Sequence, residues 1–262
     1  MALQIDVRPG PAVDAETLLR IAASEIDGRC AASIASIADV FVAYASRPGL
    51  AAHLASKALA HLVDAKPLPF YSPQSFVIAS HQHVLLRGNL WMPTASLGPL
   101  RSREEEVFSY HRAHDHNFHF LTYGYSGPGY ETELFEIDPS TLTGAIGDRA
   151  RIVARRKAVL EPGSVMLYRA HVDAHIQRPP AKLSLSINLM FNHPALTSQE
   201  QYWFDVESDH LRVTGYPEGN KISRQAQMLR TAALLPDASV REALAQISRN
   251  PGLAPRVRAA AV

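Results

Sequence analysis

Residues Arg112 to Asp138 read RAHDHNFHFLTYGYSGPGYETELFEID. His114, His116 and His119 fall within six residues, a turn carrying Gly124, Gly127 and Gly129 follows, and the chain resumes with Glu131, Glu133 and Glu136. The chain holds 12 histidines in 262 residues, and four of them lie between His111 and His119. If 114–123 is a β-strand, successive side chains point to opposite faces. His114, His116, Phe118 and Phe120 then share one face, and Asp115, Asn117, His119 and Leu121 share the other. Two imidazoles two positions apart sit about 6.5 to 7 Å apart at Cα, and their rings can converge on one ion through bonds of about 2.1 Å. His119 belongs to the opposite face, where it is expected to pack or to support rather than to ligate.

The same parity applies after the glycine turn. Glu131, Glu133, Phe135 and Ile137 share a face, and the two apolar members mark it as the inward one. A carboxylate does not go inside unpaired, because its desolvation costs several kcal/mol. A metal, an arginine or a histidine cluster is therefore expected beside Glu131 and Glu133.

Outward from this stretch the composition bounds the protein class. An apolar fraction of 47% is that of a globular protein, and no apolar run approaches the roughly 20 residues that span a bilayer. Lys and Arg number 26 against 25 Asp and Glu, a balance that leaves no electrostatic footprint for nucleic acid. The single cysteine, Cys30, excludes an intramolecular disulfide and a sulfur-based metal cluster. The first residues, MALQIDVRPGP, lack the basic start and apolar core of a secretion signal. A soluble, cytoplasmic protein acting on a small molecule is expected, without nucleic-acid or membrane partners.

Upstream, Asp14 to about Leu62 suits two or three helices, with Asp14 as the first cap and Arg47-Pro48-Gly49 as a break. His53 and His61 on the last of them are expected to be exposed or packed. Three prolines between Ala65 and Pro73 mark a boundary. Ser75 to Ser80 and His83 to Trp91 read as strands, and His81 with His83 forms a second H-x-H pair, expected at a loop or sheet edge. A loop at 93–99 and a charged lead-in at 101–107 precede the central stretch.

Downstream, Ala150 to Leu160 and Ser164 to Tyr168 read as strands, the latter entered through Pro162-Gly163. Ala181 to Phe191 alternates without a break, Leu183, Leu185, Ile187, Leu189 and Phe191 against a largely polar face that lines a cavity or meets water. Gln201 to Glu207 suits one edge strand, and Ile222 to Leu235 and Ala238 to Ser248 suit amphipathic helices. The tail after Pro251 is expected to be loosely held.

A strand with H-x-H, a glycine turn, a glutamate-bearing strand, and then a Pro-Gly turn into a strand followed by a histidine resembles the cupin superfamily. The resemblance implies a mainly β fold, a cupin-like double-stranded β-helix of jelly-roll type, here with N-terminal and C-terminal helical extensions. The expected division is 1–72 for the helical extension, 73–195 for the barrel and 196–262 for a strand with helices. His114 and His116 match the paired histidines of the first cupin motif and Gly163 the opening glycine of the second. His175 best matches the last ligand, with His171 as its rival. Phe120 and Leu121 stand where the motif has its glutamate, so the fourth ligand is either absent or supplied by Glu131 or Glu133 across the turn.

The metal set expected from the sequence is thus His114, His116, His175 and Glu131, holding a divalent transition metal, with Fe(II) first and Zn, Ni, Mn or Cu as alternatives. The first functional expectation is a non-haem Fe(II) oxygenase or dioxygenase acting on a small organic molecule, with no catalytic residue assigned. Tyr123, Tyr125 and Tyr168 are either substrate donors or rim aromatics. In a variant, Arg178 or Lys182 pairs with the far carboxylate of a 2-oxoglutarate co-substrate. A second expectation is a non-catalytic ligand-binding or regulatory cupin whose terminal helices offer a surface for a homodimer. A third is an isomerase or epimerase without redox chemistry.

Overall fold

The computed structural model describes residues 1–8, 10–63, 74–93, 107–217 and 221–262, without the side chains of 57, 58, 61 and 62. The boundary expected at 65–73, most of the loop and lead-in expected between 93 and 107, and the side chain of His61 lie outside the described residues. Among the described residues no helix is long and apolar enough to cross a membrane.

The alternating segment forms strand β10 (Ser184–Phe191), hydrogen-bonded between β3 (Val84–Trp91) and β5 (His119–Ser126). With β1 (Leu3–Gln4), β8 (Val165–Tyr168) and β2 (Ser75–His81) these make an antiparallel sheet in the order β1-β8-β5-β10-β3-β2. The apolar face of β10, with Leu121, Val165, Leu167 and Leu86 beside it, packs against the N-terminal helices. Those helices are α1 (Ala15–Ser24), α2 (Ala31–Ala35), α3 (Ala38–Ala45) and α4 (Leu50–Val63), four short segments where two or three were expected. Asp14 caps α1 by accepting the Thr17 N–H at 2.7 Å. Leu18, Ile34 and Phe41 are fully buried in this layer, each contributing about 1.5 to 3 kcal/mol through burial. The face of β10 that the sequence marks as polar, Ser184, Ser186 and Asn188, therefore turns towards the interior between the two sheets.

The second sheet runs β11 (Trp203–Val206), β12 (His210–Gly215), β7 (Arg149–Val159), β6 (Glu131–Asp138), β9 (Asp173–Gln177) and β4 (Ala113–His114), and β4 pairs back to β11 to close the ring. One edge strand was expected near 201–207; a hairpin of two is present. Ala113, Phe135, Ile137, Ala174, Phe204, Leu211 and Val213 fill the ring. On the other face of β4, β9 and β6, His114 lies opposite His175 and His175 opposite Leu134. That face looks across at Phe120, Tyr168 and Trp91 of the first sheet. The expected mainly β architecture is present: two antiparallel sheets, the second closed on itself, with N-terminal and C-terminal helices.

The glycine turn is glycine by necessity. Gly127 and Gly129 have φ of +86° and +78°, and a Cβ on either would lie 2.3 Å from the carbonyl oxygen of Leu183 or Leu160. The turn can thus press against two neighbouring connections. At the C-terminus, α5 (Pro194–Thr197) leads into β11, and α6 (Lys221–Ala232), α7 (Ala238–Ser248) and α8 (Pro255–Ala259) share a core of Ile222, Leu229, Leu244 and Val257. The tail is not loose: Val257 is buried, and Arg256 pairs with Glu200 at 2.8 Å while lying 3.9 Å from the centre of the Tyr216 ring.

Candidate metal centre

His114 ends β4, His116 follows two residues after it, and His175 lies in β9 directly across from His114. Their Nε2 atoms converge: 2.9 Å from His175 to His114 and 3.2 Å from His175 to His116. Bonds of about 2.1 Å to one ion, at angles between octahedral and tetrahedral, place ligand atoms roughly 3.0 to 3.4 Å apart. His175 is therefore spaced from each partner as two ligands of one divalent ion are, and the three donor atoms all lie within 4.8 Å of one another. His114 Nδ1 donates to the Arg112 carbonyl at 3.0 Å, which leaves the Nε2 lone pair facing the centre and fixes the ring as a second hydrogen bond does for metal-bound imidazole. Nδ1 of His116 and of His175 is buried without a hydrogen-bond partner among the described residues.

Burial governs the charge of the cluster. Desolvation pushes His114 down to about 4 and holds His116 and His175 well below the usual imidazole range, with the neighbouring imidazoles a smaller cause for the latter two. All three rings are neutral at pH 7, the form that ligates a metal.

The centre opens on a cavity of about 920 Å³. Phe118, Phe120, Tyr130, Tyr168 and Trp91 form its aromatic wall, and Arg87, Asn89, Asn188 and Gln177 its polar one. Tyr168 stacks on Phe120 at 4.6 Å between centroids and meets His175 edge-on at 4.9 Å. Its hydroxyl lies near Thr132 without a well-formed hydrogen bond. Tyr130 packs 4.1 Å from Trp91 with Thr122, Gln177 and Ser186 around its hydroxyl. Burial raises both phenols, which stay protonated.

The sequence expectations divide here. His175, not His171, completes the triad, because β9 pairs with β4 at that residue. His171 takes φ of +61° in the preceding turn and donates its backbone N–H to the His116 carbonyl at 2.9 Å. His119 packs as expected of its face: Nδ1 accepts the Ala170 N–H at 2.9 Å and Nε2 donates to the Arg29 carbonyl at 3.1 Å.

Glu131 is not brought to the histidines. It pairs with Arg178 at 3.2 Å and Lys157 at 3.8 Å at the surface. Glu133 is buried and takes the Arg155 Nε–H at 2.5 Å. The physical reason is parity: Leu134 stands opposite His175, so Glu131 and Glu133 share the other face with Phe135 and Ile137. That face was read as lining the site, and it fills the second sheet's own ring instead. The partner expected for those carboxylates is present, and it is cationic side chains.

Tyr168 lines the cavity, whereas Tyr123 and Tyr125 pack towards the helices, Tyr125 Oη donating to the Arg47 carbonyl. Arg178 is engaged with the glutamates and Lys182 is exposed, so neither reaches the cavity. Tyr130 and Arg87 were missed, whereas Asn188 lies on the polar face of β10 that was expected to line a cavity or meet water. Arg87 and Asn188 are cross-strand partners, a relation between distant strands that periodicity does not encode.

Asp115 was also missed. It is fully buried between the two histidines, accepting the Tyr202 N–H at 2.7 Å on Oδ1, with Oδ2 3.9 Å from His171 Nδ1. Burial pushes its carboxyl up to about 7.

No protein-family profile matches the chain, and no curated protein matches it. Among solved structures it is similar to a chain from the crystal structures of the DMSP lyases RdDddP and RnDddQII, at 16% identity and a TM-score of 0.25. The match covers 45% of this chain and 46% of that one, so the chain spans under half the length of that neighbour.

Proposed function

We propose that this cupin-like barrel is a metal-dependent enzyme in which His114, His116 and His175 hold one divalent transition-metal ion and a small organic substrate reacts beside it in the cavity. One observation supports this above the rest. Three buried Nε2 atoms, 2.9 and 3.2 Å apart, meet at the wall of a cavity of about 920 Å³. Protein ligands on one side of an ion leave its remaining positions to small molecules. That is the need of a non-haem Fe(II) oxygenase, which must take substrate and dioxygen together. A divalent ion supplies Lewis acidity there, and iron adds redox chemistry with oxygen.

The chain's own residues supply the rest. The aromatic wall of Trp91, Phe118 and Phe120 excludes water around the substrate, and Asn89, Asn188 and Arg87 orient its polar groups. Tyr130 and Tyr168 each hold a proton at the phenol oxygen.

A second reading, proton transfer without redox as in an isomerase or epimerase, rests on Tyr168. Its ring meets that of His175 edge-on, and its buried hydroxyl makes no well-formed hydrogen bond, which leaves its proton for donation to substrate. Elemental analysis of protein purified without chelator, followed by oxygen-electrode assays of the iron-loaded form against small organic acids, alcohols and thiols, separates the readings. Near one iron per chain with oxygen uptake that disappears in His116→Ala is the expected result. Turnover with zinc and without oxygen overturns the oxygenase in favour of proton transfer. Metal-free protein whose stability chelators leave unchanged overturns the enzyme in favour of a binding module.

A further inference from the structure

The ladder between β4 and β11 pairs Phe204 with Ala113 and Trp203 with His114. Backbone pairing stops there, but the register does not. The next opposed residues are Tyr202 and Asp115, and the Tyr202 N–H is taken by the Asp115 carboxylate, at 2.7 Å, in place of a main-chain carbonyl. From the same strand lead-in, Gln201 Nε2 donates to the Asp115 carbonyl at 2.8 Å. Two residues further, Asn117 Nδ2 donates to the Gln199 carbonyl at 3.0 Å. Asp115 and Asn117 are both buried.

Side chains thus continue a sheet that the backbone has left. The exchange has a geometric consequence: a main chain released from ladder geometry can turn the His116 ring towards His175, while its position stays pinned from both neighbours. Trp203 adds a ring contact to His114 at 5.1 Å.

We infer that residues 199–203 belong to the metal centre although none donates a ligand, with Asp115 and Asn117 as positioning residues that hold His116 in ligating geometry. The inference rests on the metal-centre reading above. Supporting groups of this kind cost 10- to 100-fold in metal affinity when removed.

The test is zinc affinity of the full chain, by competition with a chromophoric chelator, with the melting temperature of the metal-free protein read for each variant. Asp115→Ala loses the acceptor for the Tyr202 N–H, and its zinc affinity is expected to fall about 10- to 100-fold. Asp115→Asn keeps an oxygen at that place and is expected to stay within about three-fold of the parent. Asn117→Ala loses the link to Gln199 and is expected to fall about ten-fold; it also carries the test if Asp115→Ala does not fold. Equal losses in Asp115→Ala and Asp115→Asn, or unchanged zinc affinity in folded Asp115→Ala and Asn117→Ala, overturn the inference.

If the parent protein takes up no zinc, the metal-centre reading fails instead, and imidazole nitrogen NMR of the metal-free chain then decides the positioning role. His116 signals that move in Asp115→Ala but not in Asp115→Asn uphold it, and signals that stay in place in both overturn it.

Discussion

The chain carries two H-x-H pairs, and they have opposite fates. His81 ends the edge strand β2, Gln82 turns the chain with φ of +51°, and His83 enters β3. Both histidines are exposed, as expected of an edge, and the His83 ring lies 5.9 Å from that of His193. His114 and His116 are separated by the buried Asp115 and face His175 across the sheet. Cross-strand, His81 has Val84 and His114 has His175. The motif alone supplies two donors; a third donor at the register position opposite, and an anchor for the residue between, make it a site.

The sharpest way to break this comparison is to remove the third donor. His175→Ala is expected to lower metal affinity by more than the roughly 100-fold that bounds the loss of a supporting group. His83→Ala is expected to leave metal content unchanged. Metal analysis of the two variants side by side checks it, and equal loss in both would mean that the ion lies elsewhere.

Next in size is the response to acid. His114 and His171 titrate at about 4 in the folded protein because burial disfavours their charged forms, against about 6.5 when unfolded. Between those values the unfolded chain binds more protons, so each such ring lowers stability as pH falls, by up to about 1.4 kcal/mol per pH unit. His116 and His175 act in the same direction. Asp115 opposes them: its carboxyl, raised to about 7, stays protonated in the fold where the unfolded chain has released the proton, and it adds stability as pH falls from 7 towards 4. The rings outnumber the carboxyl. Denaturation of the metal-free protein at stepped pH is expected to show stability declining below about 6.5.

What the sequence discloses here follows from range. Alternation is local, so the separate role of His119, the exposed edge pair and the cap at Asp14 are readable without a structure. The single strand expected over 114–123 is two, however: β4 ends at His114 in one sheet, 115–118 leave strand geometry, and β5 starts at His119 in the other, so His114 and Phe120 share no strand face. Which face of an alternating strand turns inward is not local. In β10 the apolar face of Ile187 and Leu189 is buried against helices and the polar face of Ser186 and Asn188 towards the cavity, because the helices supply the larger apolar surface. The same ambiguity sent Glu131 to the wrong side: Phe135 and Ile137 mark a buried face, but β6 is largely buried on both of its faces. Asp115 was unreadable for a related reason, since its role depends on Tyr202, 87 positions away.

Between the acid response and the surface effects lies the packing under His175. Leu134 is fully buried opposite that ring, and Leu134→Ala is expected to cost about 2 to 5 kcal/mol in urea denaturation. Leu134 supplies no hydrogen bond to a ligand, so zinc affinity is expected to fall less than in Asp115→Ala. The reverse ranking would assign the orientation of His175 to packing rather than to the His114 register.

The smallest effect is expected from Glu131, and it sharpens the comparison most. A carboxylate in a metal's coordination sphere would give the second pair a charge that the edge pair lacks. Glu131 instead meets Arg178 and Lys157, and its side chain is 40% exposed. Exposed pairs of this kind contribute about 0 to 1 kcal/mol. Glu131→Gln is therefore expected to keep full metal content and to lose at most about 1 kcal/mol of stability, less still at high salt, where exposed charges are screened. Loss of metal in this variant would mean that the strand reorganises to bring a carboxylate inside on loading. The distinction between the two pairs would then rest on charge as well as on the opposing imidazole.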